Sequence, residues 1–300
     1  MAGPGELPVW RSLLFVPVNV PRFVEGASRR GADAIVLDLE DSVLPQDKAA
    51  ARAAVPAAAA AVGRAGADVL VRINAPLRLA VRDIEAAVCS DVACLMLPKI
   101  ESADQLRRLA ALVDEIEHER GLPPGHTRLF ALIETCEGYF HMREIAAAHP
   151  RVVALSVGSE DFSASAGMVP DAQALLLPKQ EMVFAARAVG VLPLGHIGSV
   201  SPLSASEEFL AAARRARALG STGAVTVHPA QVPLLNQAFS ASAEELGAAQ
   251  RLVQAFELAA AAGQGAIRFE GQMVDIALVQ RARALLSRQA AIERRAARSA

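Results

Sequence analysis

Runs of apolar, often β-branched residues recur along roughly the first 230 positions, and segments with helical periodicity separate them. Runs that are apolar on both faces are typical of parallel strands covered by helices. The pattern predicts eight strands, at residues 12–18, 34–41, 68–74, 92–100, 128–135, 152–161, 190–197 and 223–229. Eight β–α units predict an α/β fold, a (β/α)8 TIM barrel, with a doubly wound open sheet as the competing topology.

Two of the intervening helices carry signals at specific residues. The alanine-rich stretch 49–66 predicts a helix that is interrupted near Pro56. The stretch 204–220 predicts a helix capped by Ser204 or Ser206, with glutamates in its first turn and arginines later. These signals fit helices that return the chain from one strand to the next.

The pattern changes after residue 238. A strongly helical segment begins there, in which Ser242 and Glu245 have the spacing of a capping box. A short extended stretch and a final basic helix follow it. We therefore expect a barrel catalytic domain at 1–238 and a C-terminal helical extension at 239–300, which acts either as an extra helical layer or as a lid or subunit contact.

Composition narrows the class of protein. The chain is 53% hydrophobic, which is ample for a large core, and its net charge of −2 argues against a protein that coats nucleic acid. The first ten residues lack a signal-peptide pattern, and no apolar run is long enough to span a membrane. The three cysteines show no CxxC pairing. We expect a soluble, cytoplasmic protein with neither a nucleic acid nor a membrane as partner.

Charged side chains gather where the predicted strands end, which is where TIM barrels carry their chemistry. The polar and charged strand-end residues are Asn19, Asp38, Glu40, Asp41, Arg72, Asn74, Lys99, Glu134, Glu160, Asp161, His196 and His228. Glu134 and Asp161 follow neighbouring strands, and two adjacent carboxylates suit a hard divalent ion such as Mg²⁺. The alternative is that one of them pairs with Arg72 or Lys99.

The remaining strand-end groups indicate the type of chemistry. Arg72 carries a permanent donor fork that suits a substrate carboxylate or a developing enolate oxygen. A Schiff-base aldolase needs a lysine inside the barrel, and only Lys99 ends a strand, so metal-assisted chemistry is favoured over imine chemistry. There is no Walker P-loop and no GxGxxG between a strand and a helix.

Eight motifs occur in order from about Arg11 to Leu286 and together resemble one family. They are RSLLFVPVNVPRFVEGASRRGADAIVLDLEDSV, KAAAR, VRIN, LPKIES, LIET, GSEDF, VHPAQV and GQMVD. This set resembles the citrate lyase β-subunit-like, or CoA-ester lyase, branch of the HpcH/HpaI aldolase family. The resemblance implies a TIM barrel with a C-terminal extension that assembles as a homotrimer or hexamer.

The same resemblance implies an activity. Such enzymes reversibly cleave a C–C bond of a 3-hydroxyacyl thioester, such as citryl-CoA or malyl-CoA, into an acyl-CoA and a 2-oxo acid. Mg²⁺ is the implied cofactor, and Mn²⁺ is a possible substitute. Carried over position by position, Glu134 and Asp161 match the metal ligands, and Arg72 matches the arginine that binds the oxyanion and carboxylate. Asp275 matches an acid/base aspartate that a neighbouring subunit's tail delivers.

Further site residues are expected from the resemblance, and candidates for CoA binding are expected from their positive charge. The acidic cluster at 38–41 matches a further active-site segment, in which Glu40 and Asp41 are expected to orient metal-bound water or substrate. CoA's phosphates need basic partners, and Arg11, Arg22 and Lys48 near the early loops are the candidates.

Other activities remain open on the sequence alone. One alternative is a citrate lyase β subunit that depends on an acyl-carrier protein, and another is an aldolase that acts on free hydroxy acids. A third, of a different class, is a catalytically silent barrel that binds CoA.

Overall fold

Eight parallel strands form the centre of the molecule. The computed structural model of the chain describes residues 7–197 and 206–299. The strands are β1 (Ser12–Pro17), β2 (Ala34–Asp38), β3 (Asp68–Arg72), β4 (Cys94–Leu97), β5 (Arg128–Ile133), β6 (Val152–Val157), β7 (Leu192–Pro193) and β8 (Ala224–Thr226). They are hydrogen-bonded in the order β7-β6-β5-β4-β3-β2-β1-β8. All eight predicted strands are therefore present.

The ring closes between β7 and β8. Leu194, just after β7, forms a parallel bridge with Gly223, just before β8. The Gly195 N–H donates to the Gly223 carbonyl at 2.8 Å, and the Thr222 N–H donates to the Pro193 carbonyl at 2.9 Å. An open sheet would leave both edge strands unpaired at this point. The predicted TIM barrel is confirmed, and the doubly wound alternative is excluded.

Helices follow the strands and cover the outside of the barrel. They are α1 (Pro21–Ala27), α2 (Lys48–Gly63), α3 (Leu77–Ala87), α4 (Ala103–Glu119), α5 (Cys136–Phe140), α6 (Met142–Ala146), α7 (Ser159–Ala166), α8 (Leu176–Val189), α9 (Glu207–Ala218) and α10 (Val232–Ala238). Short 3₁₀ turns lie at Ser28–Arg30, Pro45–Asp47 and Pro229–Gln231. Ser206 caps α9 through the Phe209 N–H; the other proposed cap, Ser204, lies outside the described residues.

Alternate strand residues divide the core into two layers. In β2, Ala34 and Val36 belong to a cluster built almost wholly from strand residues, which fills the barrel. Ile35 and Leu37 belong to the larger cluster that includes the buried faces of the helices. This period of two, with both faces buried, is what parallel strands in a barrel require.

The predicted strands extend past several of the observed ones, and two differences from the prediction have clear causes. Helix α2 runs from Lys48 to Gly63 without a break at Pro56. Pro56 lies on the exposed face, where water can bond the carbonyl that its missing N–H leaves free, and the surrounding alanines favour helix. The strand predicted at 152–161 ends at Val157, because the Phe162 N–H bonds the Gly158 carbonyl and begins α7.

The chain divides after Phe239 into two compact units. The C-terminal unit contains α11 (Ala243–Ala261), the antiparallel pair β9 (Ile267–Phe269) and β10 (Gln272–Val274), and α12 (Ile276–Ser299). Both halves of the predicted capping box between Ser242 and Glu245 form at the start of α11. A small apolar cluster around Phe256, Val274 and Val279 holds this unit together. Among the described helices, none combines the length and apolar character needed to cross a membrane.

Candidate active site

A cavity of about 740 Å³ opens at the carboxyl ends of the barrel strands. Its wall includes Asp38, Arg72, Glu134 and Asp161, and residues of α1 such as Arg22 form another part of it. Parallel strands bring all their carboxyl ends to one face of a barrel, so residues distant in sequence meet there. The cavity therefore coincides with the region in which the sequence placed its charged groups.

Arg72 is held by a carboxylate on the neighbouring strand. Asp38 and Arg72 are directly paired in the register of β2 and β3. The guanidinium donates to both oxygens of Asp38, from Nε at 2.7 Å and from Nη2 at 2.8 Å. Burial raises the pKa of Asp38, but the hydrogen bonds and charge of Arg72 outweigh it and hold the pKa below its usual value. From the sequence, Asp38 was placed in the active-site segment 38–41 without a role of its own; its register position opposite Arg72 reveals that role.

Arg72 also faces two more carboxylates. Its Nη1 lies 3.0 Å from Glu40 Oε2 and 3.3 Å from Asp41 Oδ2, and its guanidinium stacks 4.7 Å from the centre of the Phe15 ring. Burial alone would lower the pKa of Arg72. The hydrogen bonds to Asp38 and the charges of the three acids outweigh burial, so the pKa lies above its ordinary value. Among the described residues, Nε and one N–H of Nη2 bond Asp38, and Nη1 faces Asp41 and Glu40, which leaves the second N–H of Nη2 for a ligand.

Glu134 is a buried carboxylate at the end of β5, only 4% exposed. One oxygen accepts the backbone N–H of Lys99 at 3.0 Å. Burial raises the pKa of Glu134 to about 7, and the nearby charges of Glu40 and Asp161 act in the same direction. Gly158 makes room for this side chain, because a Cβ at that position would lie 2.7 Å from Glu134 Cγ.

Asp161 reaches the cavity from the first turn of α7 rather than from the end of a strand. Lys99 Nζ lies 3.3 Å from Asp161 Oδ1 and 3.0 Å from Glu40 Oε1. For Asp161, the structure thus shows the lysine pairing that the sequence left open. Burial lowers the pKa of Lys99, but its bond to Glu40 and the surrounding carboxylates raise it above its ordinary value. A lysine held protonated in this way is a poor imine-forming nucleophile.

The charges of the site leave a place for a cation. Five carboxylates, those of Asp38, Glu40, Asp41, Glu134 and Asp161, lie near three cationic side chains, those of Arg72, Lys99 and Lys48. No group of three or more His, Cys, Asp or Glu side chains suited to a metal occurs within the described parts of the chain. Mg²⁺ nevertheless binds through one or two carboxylates, with water and substrate oxygens completing its shell. Glu134 and Asp161 fit such an ion, because both line the cavity and Glu134 is a buried carboxylate that has no ion-pair partner among the described residues.

The three proposed CoA-binding residues are separated by the fold. Arg22 lines the cavity, where its guanidinium lies 4.8 Å from the centre of the Phe23 ring. Arg11 precedes β1 and pairs with Asp33 at 2.8 Å, at the opposite, amino end of the strands. Lys48 donates to the carbonyls of Leu39 and Glu40 at 2.7 and 2.6 Å. The structure therefore does not bring Arg11 to this site, and it uses Lys48 to hold the segment that carries Glu40.

Asp275 lies in the C-terminal unit, between β10 and α12. One of its oxygens accepts the N–H groups of Ala277 at 3.0 Å and Leu278 at 3.2 Å, so it caps the start of α12. Its other oxygen, Oδ2, takes no part in these two bonds. The two histidines at strand ends have structural contacts: His228 accepts the Ala230 N–H, and His196 stacks on Phe209.

Comparison with known proteins gives one consistent result. The family model described as HpcH/HpaI aldolase/citrate lyase matches residues 11–229. The citrate lyase subunit beta of Leuconostoc mesenteroides subsp. cremoris is 33% identical over 279 residues, covering 92% of each chain. The L-malyl-CoA/beta-methylmalyl-CoA lyase of Cereibacter sphaeroides is 34% identical over 299 residues, covering 92% of this chain and 93% of that protein.

One solved structure is similar to this chain in both sequence and fold. The protein CitE from Mycobacterium tuberculosis, crystallised with magnesium, acetoacetate and coenzyme A, superposes with a TM-score of 0.73. It is 33% identical, and the match covers 93% of this chain and 97% of that one.

Proposed function

The chain belongs to the HpcH/HpaI aldolase/citrate lyase family and is a carbon–carbon lyase, and we propose that it cleaves and forms 3-hydroxyacyl-CoA thioesters. The products of cleavage are an acyl-CoA and a 2-oxo acid, as with citryl-CoA or malyl-CoA. The observation that carries this proposal is the position of Arg72, which Asp38 holds in the wall of a cavity that also contains Glu134 and Asp161.

Glu134 and Asp161 are the residues that would hold Mg²⁺. A bound Mg²⁺ polarises the carbonyl of a 2-oxo acid and makes it a better electrophile. Glu134 supplies a buried carboxylate, and Gly158 leaves the space in which it lies. Glu40 and Asp41 orient water or substrate next to these acids. Mn²⁺ accepts the same oxygen ligands, so we expect it to substitute.

Arg72 stabilises the enolate of the acyl-CoA. Cleavage of the C–C bond leaves its electron pair on the thioester's α-carbon, and delocalisation moves the negative charge onto the thioester oxygen. The remaining N–H of Arg72 Nη2 and the positive charge of the guanidinium match that developing charge, and the two bonds to Asp38 fix their direction. The same arginine can bind a substrate carboxylate in the ground state.

Asp275 is the proposed acid/base. In cleavage, its carboxylate takes the proton of the substrate's 3-hydroxyl as the C–C bond breaks, and it then gives a proton to the α-carbon of the enolate. In synthesis, it removes the α-proton from the acyl-CoA and returns a proton to the alkoxide that forms from the 2-oxo group. We propose that it acts in the barrel of a neighbouring subunit, within a homotrimer or hexamer. Arg22 and the adjacent wall of α1 would contact the CoA portion.

A second candidate is a β subunit that accepts its thioester from an acyl-carrier protein. The similarity to the citrate lyase subunit beta of Leuconostoc mesenteroides favours it. It uses the same groups in the barrel, so only the carrier of the thioester separates the two functions. A free-hydroxy-acid aldolase or a silent CoA-binding barrel would leave Asp275 without a role.

The test is an assay of oxo-acid release from malyl-CoA, methylmalyl-CoA and citryl-CoA, with Mg²⁺ and with excess EDTA. We expect release from at least one thioester with Mg²⁺ and none with EDTA. The same acyl groups attached to an acyl-carrier protein form the second arm. Release from the carrier-bound substrate alone would establish the β-subunit function, and release from neither would contradict lyase activity.

A further inference from the structure

A buried lysine lies in the cavity wall and has no role in the chemistry described above. Lys179, in the first turn of α8, is 6% exposed and lines the cavity. Its Nζ donates to the Ser159 hydroxyl at 2.8 Å. Within the described residues, no carboxylate forms an ion pair with it; Glu160 acts on it only at longer range. A buried ammonium is costly unless an anion compensates it.

Lysine is rare in this chain, and its positions are informative. The chain has 30 basic residues, and only three of them are lysines. Lys48 holds the segment that carries Glu40, and Lys99 bridges Glu40 and Asp161. All three lysines therefore lie at the active-site end of the barrel.

Lys179 lies away from Arg22, the residue proposed to contact CoA, on a different part of the cavity wall. Ser159 follows β6, whereas Arg22 follows β1, and these strands lie three places apart in the ring. Ser159 also begins the helix turn that carries Asp161. An anionic group near Lys179 would thus belong to the part of the substrate next to Asp161, which in the proposed function is the 2-oxo acid.

We propose that Lys179 binds a second carboxylate of the 2-oxo acid, so that the enzyme prefers dicarboxylic over monocarboxylic oxo acids. This inference rests on the proposed function and narrows its substrate class. Burial lowers the pKa of Lys179 to about 8, so the side chain is mostly charged near neutral pH and can pair with a carboxylate.

The test measures binding of two stable 2-hydroxy acids by calorimetry in the presence of Mg²⁺. L-Malate and L-lactate correspond to a dicarboxylic and a monocarboxylic oxo acid, and they differ by one carboxylate group. We expect wild type to bind malate at least about tenfold more tightly, since a charged hydrogen bond contributes roughly 1.5–3 kcal/mol. We expect Lys179→Met to lose that preference while its affinity for lactate changes less than about twofold.

Two further variants separate charge from mechanical support. Lys179→Gln keeps a donor for the Ser159 hydroxyl but removes the charge, and it also keeps the test valid if Lys179→Met fails to fold. We expect it to lose the malate preference as Lys179→Met does. Arg187→Met removes an exposed charge from the same helix and is expected to change neither affinity.

Each outcome is decisive. A malate preference that persists in Lys179→Gln, or an equal loss of both acids in the lysine variants, would overturn the subsite and leave the lyase proposal intact. The second result would show that Lys179 only supports α7. If wild type binds both acids equally, the subsite is also wrong. If wild type binds neither acid with Mg²⁺, the subsite is wrong, and the oxo-acid release assay decides the proposed function separately.

Discussion

At the scale of single residues, the site is dominated by carboxylates that the protein's own cations do not fully neutralise. Arg72 holds Asp38 ionised, and the pKa of Asp38 lies below its usual value. Burial and like charges instead raise the pKa of Glu134 to about 7. Acidic groups with such different environments serve different purposes. Asp38 positions Arg72, whereas Glu134 is suited to a cation that arrives from solution.

The raised pKa of Glu134 leads to a stability prediction for the metal-free protein. Its unfolded-state pKa is near 4.5. Below that pH both states are protonated, so Glu134→Gln and wild type should have similar free energies of unfolding. Between about pH 4.5 and 7 only the unfolded state ionises, which destabilises wild type as the pH rises. The variant should therefore become the more stable protein through this range, with a constant difference above it.

Urea unfolding at several pH values in EDTA measures this difference. Excess Mg²⁺ should reverse the order at pH 8, because it stabilises only the protein that binds it. If wild type and Glu134→Gln had equal free energies of unfolding at both pH 5 and pH 8, the raised pKa of Glu134 would be contradicted.

At the scale of elements, the apolar runs were sufficient to locate all eight strands, because parallel strands buried on both faces have few polar interruptions. The ends of elements were harder to predict. Gly158, Ser159 and Glu160 are equally compatible with a strand end and with a helix start, so Asp161 was placed on the wrong element. It still reached the predicted site, because β6 ends and α7 begins at the same face of the barrel.

The direction of each side chain required the three-dimensional structure. Arg11 directly precedes β1, and residues at that end of a parallel strand lie opposite the site. Lys48 is near the site, but its Nζ turns towards two backbone carbonyls. Lys179 had no strand-end signal at all, since α8 brings it to the cavity from the helical layer. Spacing along the chain does not reveal such contacts.

At the scale of the whole molecule, the proposal requires residues from both compact units. Arg72 lies in the barrel, and Asp275 lies in the unit that begins at Ser240. If the acid/base reaches a neighbouring subunit, each active site combines two chains. A ring with head-to-tail contacts would supply every barrel with one Asp275.

This arrangement can be tested by mixing inactive chains. Arg72→Met and Asp275→Asn should each lack activity as homo-oligomers. Random one-to-one assembly of the two should restore about a quarter of the wild-type activity, because a quarter of the sites then combine an intact Arg72 with an intact Asp275 from another chain. The two variants are co-expressed with different affinity tags, the mixed oligomers are purified through both tags, and the lyase assay measures the restored activity. Co-purified mixtures that stay inactive would place both residues of each site on one chain.

The central claim is that a metal held by Glu134 and Asp161 is required for C–C cleavage. The most direct measurement combines Mg²⁺ titration calorimetry with oxo-acid release from the preferred thioester, for wild type, Asp161→Asn and Asp104→Asn. Asp104 is an exposed aspartate on α4, paired only with Arg107 among the described residues, and serves as the matched control. We expect Asp161→Asn to lose roughly a hundredfold or more in both Mg²⁺ affinity and turnover, while Asp104→Asn retains both. Cleavage by Asp161→Asn at the wild-type rate, or by wild type in excess EDTA, would contradict the claim.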